Sequence, residues 1–249
     1  MGPDYSHAAG QENPKNELFT ARARIPRMTE KSKALVIGAS GGIGAAVAAE
    51  LGARGYAVTG LSRRGDGLDV TDPDSVARVL GALEGPFARI VLATGKLDGA
   101  GAPPEKALKA VSRAALVDQF VTNAVGPALV LREVPRLLAR DSDAVVAVLT
   151  ARVGSIADNA LGGWYSYRAA KAAANQIVRT TAVELARSHK RACLIAYHPG
   201  TVATDFTRDY ARDKLAPSEA AAHLCDVMAA RRAGDTGRFY DWAGKEVAW

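Results

Sequence analysis

From Lys33 onward the chain alternates short apolar runs with stretches of helical length, and this rhythm restricts the fold more than any single motif does. "KALVIGA", "YAVTGLS", "FARIVLAT", "DAVVAVLT", "RACLIAYHPG" and "GRFYDW" read as strands. They are apolar almost throughout rather than at every second residue, as strands covered on both faces are. Between them lie "GIGAAVAAELGARG", closed by Gly55, and a helix with Asp72 as its N-cap and Pro73 in its first turn. The long stretch "SRAALVDQFVTNAVGPALVLREVPRLLAR" and helices around 166–188 and 218–231 complete the set. Strands joined by helices run parallel. The expectation is one α/β domain over 33–249, a doubly wound parallel sheet of about seven strands with helices on both faces.

Residues 1–32 read differently. They are polar, hold Pro3, Pro14 and Pro26, and show no hydrophobic period. A flexible leader, a cloning remnant or an upstream extension is expected there, with Met28 as an alternative start. The net charge of +6 is scattered, without the long basic face and stacking aromatics of a nucleic-acid surface. No stretch approaches ~20 continuous apolar residues, and the amino end lacks a secretory pattern. A cytoplasmic chain with no membrane segment is therefore expected, with Cys193 and Cys225 as reduced core thiols.

The first strand ends in "GASGGIGAA", where Gly38, Gly42 and Gly44 open a helix. A pyrophosphate on a helix N-terminus needs free N–H groups and no Cβ in its way. At the end of the second strand stands "GLSRR". An acidic residue there would accept from a ribose 2′-hydroxyl, whereas Arg63 and Arg64 match a 2′-phosphate. NADP(H) is the expected cofactor. Further on, "YSYRAAK" sets Tyr167 and Lys171 four apart on one helix face. A phenol that gives a proton to an alkoxide must do so near neutral pH, and a neighbouring ammonium would lower its pKa. In "VTNAVGPALV" Pro127 carries no N–H, so the carbonyl of Asn123 loses its helical partner.

The spacing Gly38-x-x-x-Gly42-x-Gly44, followed by Tyr167-x-x-x-Lys171, resembles the short-chain dehydrogenase/reductase family from about Lys33 to the carboxyl end. A finer similarity, to the C-factor and Sniffer-like carbonyl reductases, rests on "GSIADNALGGWYSYRAAKAAANQ" and the tail "YDWAGKEVAW". The resemblance implies a single-domain Rossmann-type fold and interconversion of a ketone or aldehyde with an alcohol. It implies Tyr167 as acid/base, Lys171 as its activator and ribose anchor, and Asn123 as holder of a relay water. It implies cofactor contacts from Gly38, Ser40, Gly42, Ile43, Gly44, Ser62, Arg63, Asp69 and Val70, and from Pro199, Gly200, Val202 and Thr204. The family's catalytic serine position holds Ala151, leaving Thr150 and Ser155 to supply the hydroxyl; Ser155 is the expected donor. "FTRDYARDKLAPSEA" is expected to form the substrate lid. Relatives also raise a homodimer or tetramer, and, as the other reading, a cofactor-binding signalling protein of C-factor type with little turnover.

Overall fold

The computed structural model describes residues 31–211 and 213–249; the expectations for the first thirty residues, including Met28 as a start, lie outside them. Six parallel strands form one sheet among the described residues, one for each apolar run, where about seven were expected. They are β1 (Lys33–Ile37), β2 (Ala57–Leu61), β3 (Phe87–Leu92), β4 (Val145–Leu149), β5 (Cys193–His198) and β6 (Phe239–Asp241), in the order β2-β1-β3-β4-β5-β6. The "GLDVTD" run just before Pro73 adds no strand.

Alternate residues of each strand feed two cores. On one side Leu35, Ile90, Val146, Val148, Leu194 and Phe239 meet α3 (Pro73–Gly81), α5 (Gly126–Leu137) and α6 (Tyr165–Ser188) through Leu80, Val134 and Val178. On the other, Val36, Val91, Ala147, Ile195 and Tyr240 meet α1 (Gly42–Ala53) and α7 (Pro217–Ala230) through Val47, Leu51, Leu224 and Met228. Burying each such aliphatic side chain stabilises the fold by about 1.5–3 kcal/mol. This two-sided covering explains why the strands lack period-two polarity. The helical run Arg113–Leu137 is long and apolar enough to cross a membrane by length and composition. Its last segment, α5, buries Val130, Leu131, Val134 and Leu137 in the core.

Chain order reverses at β1, whose neighbours β2 and β3 leave it in opposite directions. A crevice opens at such a reversal beyond the carboxyl ends of the strands. Gly38 ends β1 and Ala93 to Gly95 end β3 at this point, so the glycine turn stands where the topology provides a ligand site. The predicted helix caps hold as well. Asp72 accepts from the Asp74 amide with Pro73 at N1, and Gly55 follows α1 with φ +90°.

The proline-bearing segment departs from a simple kink. Arg113–Phe120 forms α4, Val121–Val125 forms a single π-turn, and α5 resumes at Gly126. The Gly126 amide donates to the Val121 carbonyl, five residues back. Widening the helix ahead of Pro127 in this way accommodates the missing N–H, and the bulge turns Asn123 inward, fully buried.

Candidate active site

The glycine turn is tight enough that side chains are excluded. Gly38 has φ +91°, and a Cβ there would lie 2.8 Å from the Ala93 carbonyl oxygen. At Gly44 a Cβ would lie 2.1 Å from the oxygen of Gly38, and at Gly42 2.5 Å from Cγ2 of Thr204. No side chain caps α1, no acid stands in its first turn, and the amides of Gly42, Ile43 and Gly44 donate to nothing among the described residues. Ser40 and Gly42 face solvent. Free donors, a positive helix end and no Cβ fit a pyrophosphate.

At the end of β2, Ser62 caps the short helix α2 (Arg63–Asp66), accepting from the Gly65 amide, and this turn carries Arg63 and Arg64 outward into solvent. The sequence reading passed over Asp66. Its carboxylate accepts from the Ser62 amide at 2.8 Å, so an acid folds back to the strand end after all, held by the turn rather than placed in the strand. Asp69 accepts from the amide and hydroxyl of Thr71, which holds its carboxyl below the usual range, and Val70 packs where a Gly126 Cβ would be 3.0 Å from its Cγ2.

Tyr167 and Lys171 sit in the first turns of α6, with 5% and 4% of their surface exposed. The Lys171 Nζ lies 5.8 Å from the centre of the Tyr167 ring and donates to the Leu149 carbonyl at 3.3 Å. Gly95 brings Asn123 to the same place. A Cβ on it would stand 2.9 Å from Asn123 Oδ1 and 3.3 Å from Lys171 Nζ. The Asn123 amide group spans the gap, donating to the Lys96 carbonyl and to Gln119 Oε1 while Oδ1 accepts from the Lys96 amide.

One expectation is corrected here. Lys171 does not lower the phenol in the protein alone. Burial pushes the Tyr167 hydroxyl well above its ordinary value, with Tyr210 adding to the rise. Burial also brings the Lys171 ammonium down, from 10.5 to about 8. Desolvation disfavours the charged form of each group, phenolate and ammonium alike.

The two candidate hydroxyls differ in their bonding. Ser155 Oγ accepts from the Asp158 amide at 3.0 Å, which leaves its proton to donate elsewhere. Thr150 Oγ1 is buried without a partner, and Ala151, the next residue, offers no hydroxyl. Gly154 keeps this loop against α6, since a Cβ on it would be 2.7 Å from the Lys171 backbone.

The segment after β5 ties the two halves together. Pro199 is buried, Gly200 turns with φ +78°, and Val202 bridges to Leu215, closing the base of the 203–214 excursion. Thr204 touches Gly42, and Phe206, two residues on, packs its ring 6.2 Å from that of Tyr167. The glycine turn and the phenol therefore face one crevice.

Sequence reading missed Glu105, because the loop that carries it has no motif. The buried Glu105 carboxylate accepts from the Ser166 hydroxyl at 2.5 Å and from the Ser166 amide at 3.2 Å. It thereby caps α6, whose own N-cap residue, Trp164, contributes no side-chain bond. The only hint in the sequence was a helix start without Ser, Thr, Asp or Asn in the capping position.

Residues 32–215 match the family model for short chain dehydrogenase. A 1-hydroxy-2-glutathionyl-2-methyl-3-butene dehydrogenase of Rhodococcus sp. (strain AD45) is 32% identical over 88% of this chain and 100% of its own length. The C-signal protein of Myxococcus xanthus is 34% identical over 57% of this chain and 84% of its own. A short-chain dehydrogenase/reductase of Burkholderia multivorans, solved with bound NADP, superposes with a TM-score of 0.77 at 29% identity, covering 88% of this chain and all of that one.

Proposed function

The chain belongs to the short-chain dehydrogenase family of oxidoreductases, and from that premise we propose that it interconverts a ketone or aldehyde with an alcohol, using NADP(H). The observation that carries this reading is the convergence of the uncapped glycine turn with Tyr167 and Lys171, through Thr204 on Gly42 and Phe206 on Tyr167. Gly38, Ser40, Gly42, Ile43 and Gly44 would hold the pyrophosphate. Asp69, Val70, Pro199, Gly200, Val202 and Thr204 would line the remainder. A bound nicotinamide supplies the hydride that passes, with its electron pair, to the carbonyl carbon.

The chain's own residues handle the proton and the oxygen. Tyr167 Oη gives its proton to the substrate oxygen as the alkoxide forms, and takes one back in the oxidative direction. Lys171 stabilises the resulting phenolate and passes it a proton, and a solvent proton restores the ammonium along the polar path that Asn123 fixes. Ser155 donates to the substrate oxygen, its lone pair already engaged by the Asp158 amide; Thr150 is the alternative. NADP(H) over NAD(H) is supported by the outward arginines Arg63 and Arg64 and by the NADP in the Burkholderia multivorans relative. The protein acts in the cytoplasm on a small molecule, as a homodimer or tetramer. Replacing Tyr167 by Phe should lower aldehyde-dependent NADPH oxidation by roughly 10³-fold while NADPH binding, read by fluorescence, stays near wild type. Retained turnover would remove Tyr167 from its role.

A second reading rests on Ala151 in place of a hydroxyl-bearing residue and on the likeness to the C-signal protein. It makes the chain a cofactor-binding signalling protein. NADPH binding without oxidation across a panel of aldehydes and diketones would favour it.

A further inference from the structure

Tyr167 is the centre of a run of four aromatic rings. Its ring lies 6.1 Å from Trp164, edge-on at 67°, and 6.2 Å from Phe206 at 57°. Trp164 in turn lies 5.8 Å from Tyr210. Two rings come from the start of α6 and two from the excursion between Val202 and Leu215. This chain is sparing with aromatics, at 6% of its residues, so four in one contiguous run around the phenol are a concentration rather than an average.

The chain also bears conformational strain to keep Trp164 there. Gly162, Gly163 and Trp164 follow one another in the left-handed region, with φ of +64°, +67° and +54°. Glycine adopts this freely, but a bulky side chain rarely does, and such outliers persist where the surroundings impose them. Glu105 imposes this one. Its carbonyl accepts from the Trp164 amide at 2.5 Å, and its carboxylate holds Ser166 on the far side. The strained turn brings the indole against the phenol ring, while Phe206 also packs on Tyr167 and keeps 38% of its surface exposed.

We infer that the substrate's carbonyl is joined to an aromatic ring or a conjugated planar group, which docks among Trp164, Phe206 and Tyr210 while Tyr167 meets the oxygen. The inference rests on the oxidoreductase reading and names its substrate class. Tilted rings at these separations reward a further flat π-system by edge-to-face and offset contact, whereas a saturated ring gains only the area it buries. A cationic guest is disfavoured, because the Lys171 ammonium already stands over Tyr167. Trp164 and Phe206 are thus specificity-determining residues.

The test compares benzaldehyde with cyclohexanecarbaldehyde, which share size but not flatness, using the full chain and NADPH. Benzaldehyde should be favoured in kcat/KM by roughly tenfold. Trp164→Leu and Phe206→Leu should each bring the two aldehydes within about threefold of one another, the change falling on KM more than on kcat. Equal or reversed preference in the wild type, or a preference that survives both substitutions, overturns the inference and leaves the oxidoreductase reading standing. If neither aldehyde is turned over, calorimetric titration of benzyl alcohol and cyclohexylmethanol into NADP-loaded Tyr167→Phe decides. Tighter binding of benzyl alcohol upholds the aromatic pocket and leaves the oxidoreductase reading to the wider panel of aldehydes and diketones; equal binding, or tighter binding of the more hydrophobic cyclohexylmethanol, overturns the inference.

Discussion

The two sides of the crevice are built on opposite principles. On the cofactor side, β1, the glycine turn and α1 present backbone: free amides, and positions where a Cβ would come within 2.1–2.8 Å of another atom. On the substrate side, α6 and the excursion after β5 present side chains: a buried phenol and ammonium, an indole held at positive φ, and a glutamate that caps from a distant loop. On the proposed reading, the first arrangement recognises what all dinucleotides share. The second can be retuned residue by residue without disturbing the first. A bound cofactor and a changeable substrate ask for that division.

The contrast can be broken most sharply at the hydroxyls. Ser155→Ala should lower kcat by roughly 10²–10³-fold, the usual effect of losing one oxyanion donor, with cofactor affinity unchanged. If Thr150→Val produces that loss in steady-state kinetics and Ser155→Ala does not, the donor is Thr150. If neither does, the substrate side works without a serine-type donor.

Lys171 probes the substrate side by its pH dependence. Its ammonium drops to about 8 on burial, against 10.5 unburied. Below pH 8 both folded and unfolded chains carry the proton, and the folded one bears the cost of a buried charge. Between the two values the unfolded chain keeps a proton that the folded chain has shed, so this group's contribution to stability rises with pH across that window, by about 3 kcal/mol at most. The buried Cys193 and Cys225 thiols, pushed up to about 12 and about 11, act in the opposite sense above pH 9, as do the raised Tyr167 and Tyr197 phenols near pH 10. The Lys171 contribution is therefore read by urea denaturation as wild type minus Lys171→Met, a difference that should rise with pH across the window. A difference that stays flat or falls there would mean the ammonium is held charged in the fold.

The smallest effect is expected on the cofactor side. Arg63→Ala should weaken NADPH binding by roughly tenfold, one charge-assisted contact, and leave NADH binding alone. An equal loss for both cofactors would mean that Arg63 shapes the turn instead of reading the phosphate, with Asp66 on the Ser62 amide as the feature to examine next.

Legibility in the sequence follows the same division. Strand runs, helix caps and the glycine turn could be read because backbone geometry leaves a compositional trace: glycine where Cβ atoms collide, aspartate and proline at a helix start. The Tyr167 and Lys171 pair was visible because one helical turn brings them together, and Pro127 announced a disturbance in its helix. What the proline did was not visible. A kink and a π-turn both answer a missing N–H, and tertiary packing of Asn123 against the end of β3 selects the second. The phenol's raised pKa escaped for a related reason, since spacing shows who the neighbours are but not how much water is left between them. Glu105, sixty-one residues from Ser166, could not be read at all; a contact of that span leaves no periodic trace in the chain.

The central claim is that cofactor and phenol act on one substrate in one crevice. Incubating the protein with NADPH deuterated at the transferable position and benzaldehyde, then analysing the alcohol by mass spectrometry, tests it directly. The account predicts deuterium on the carbinol carbon with the wild type and none above background with Tyr167→Phe. Label that stays on a tightly bound cofactor while no alcohol forms, across aldehydes and diketones alike, would contradict it.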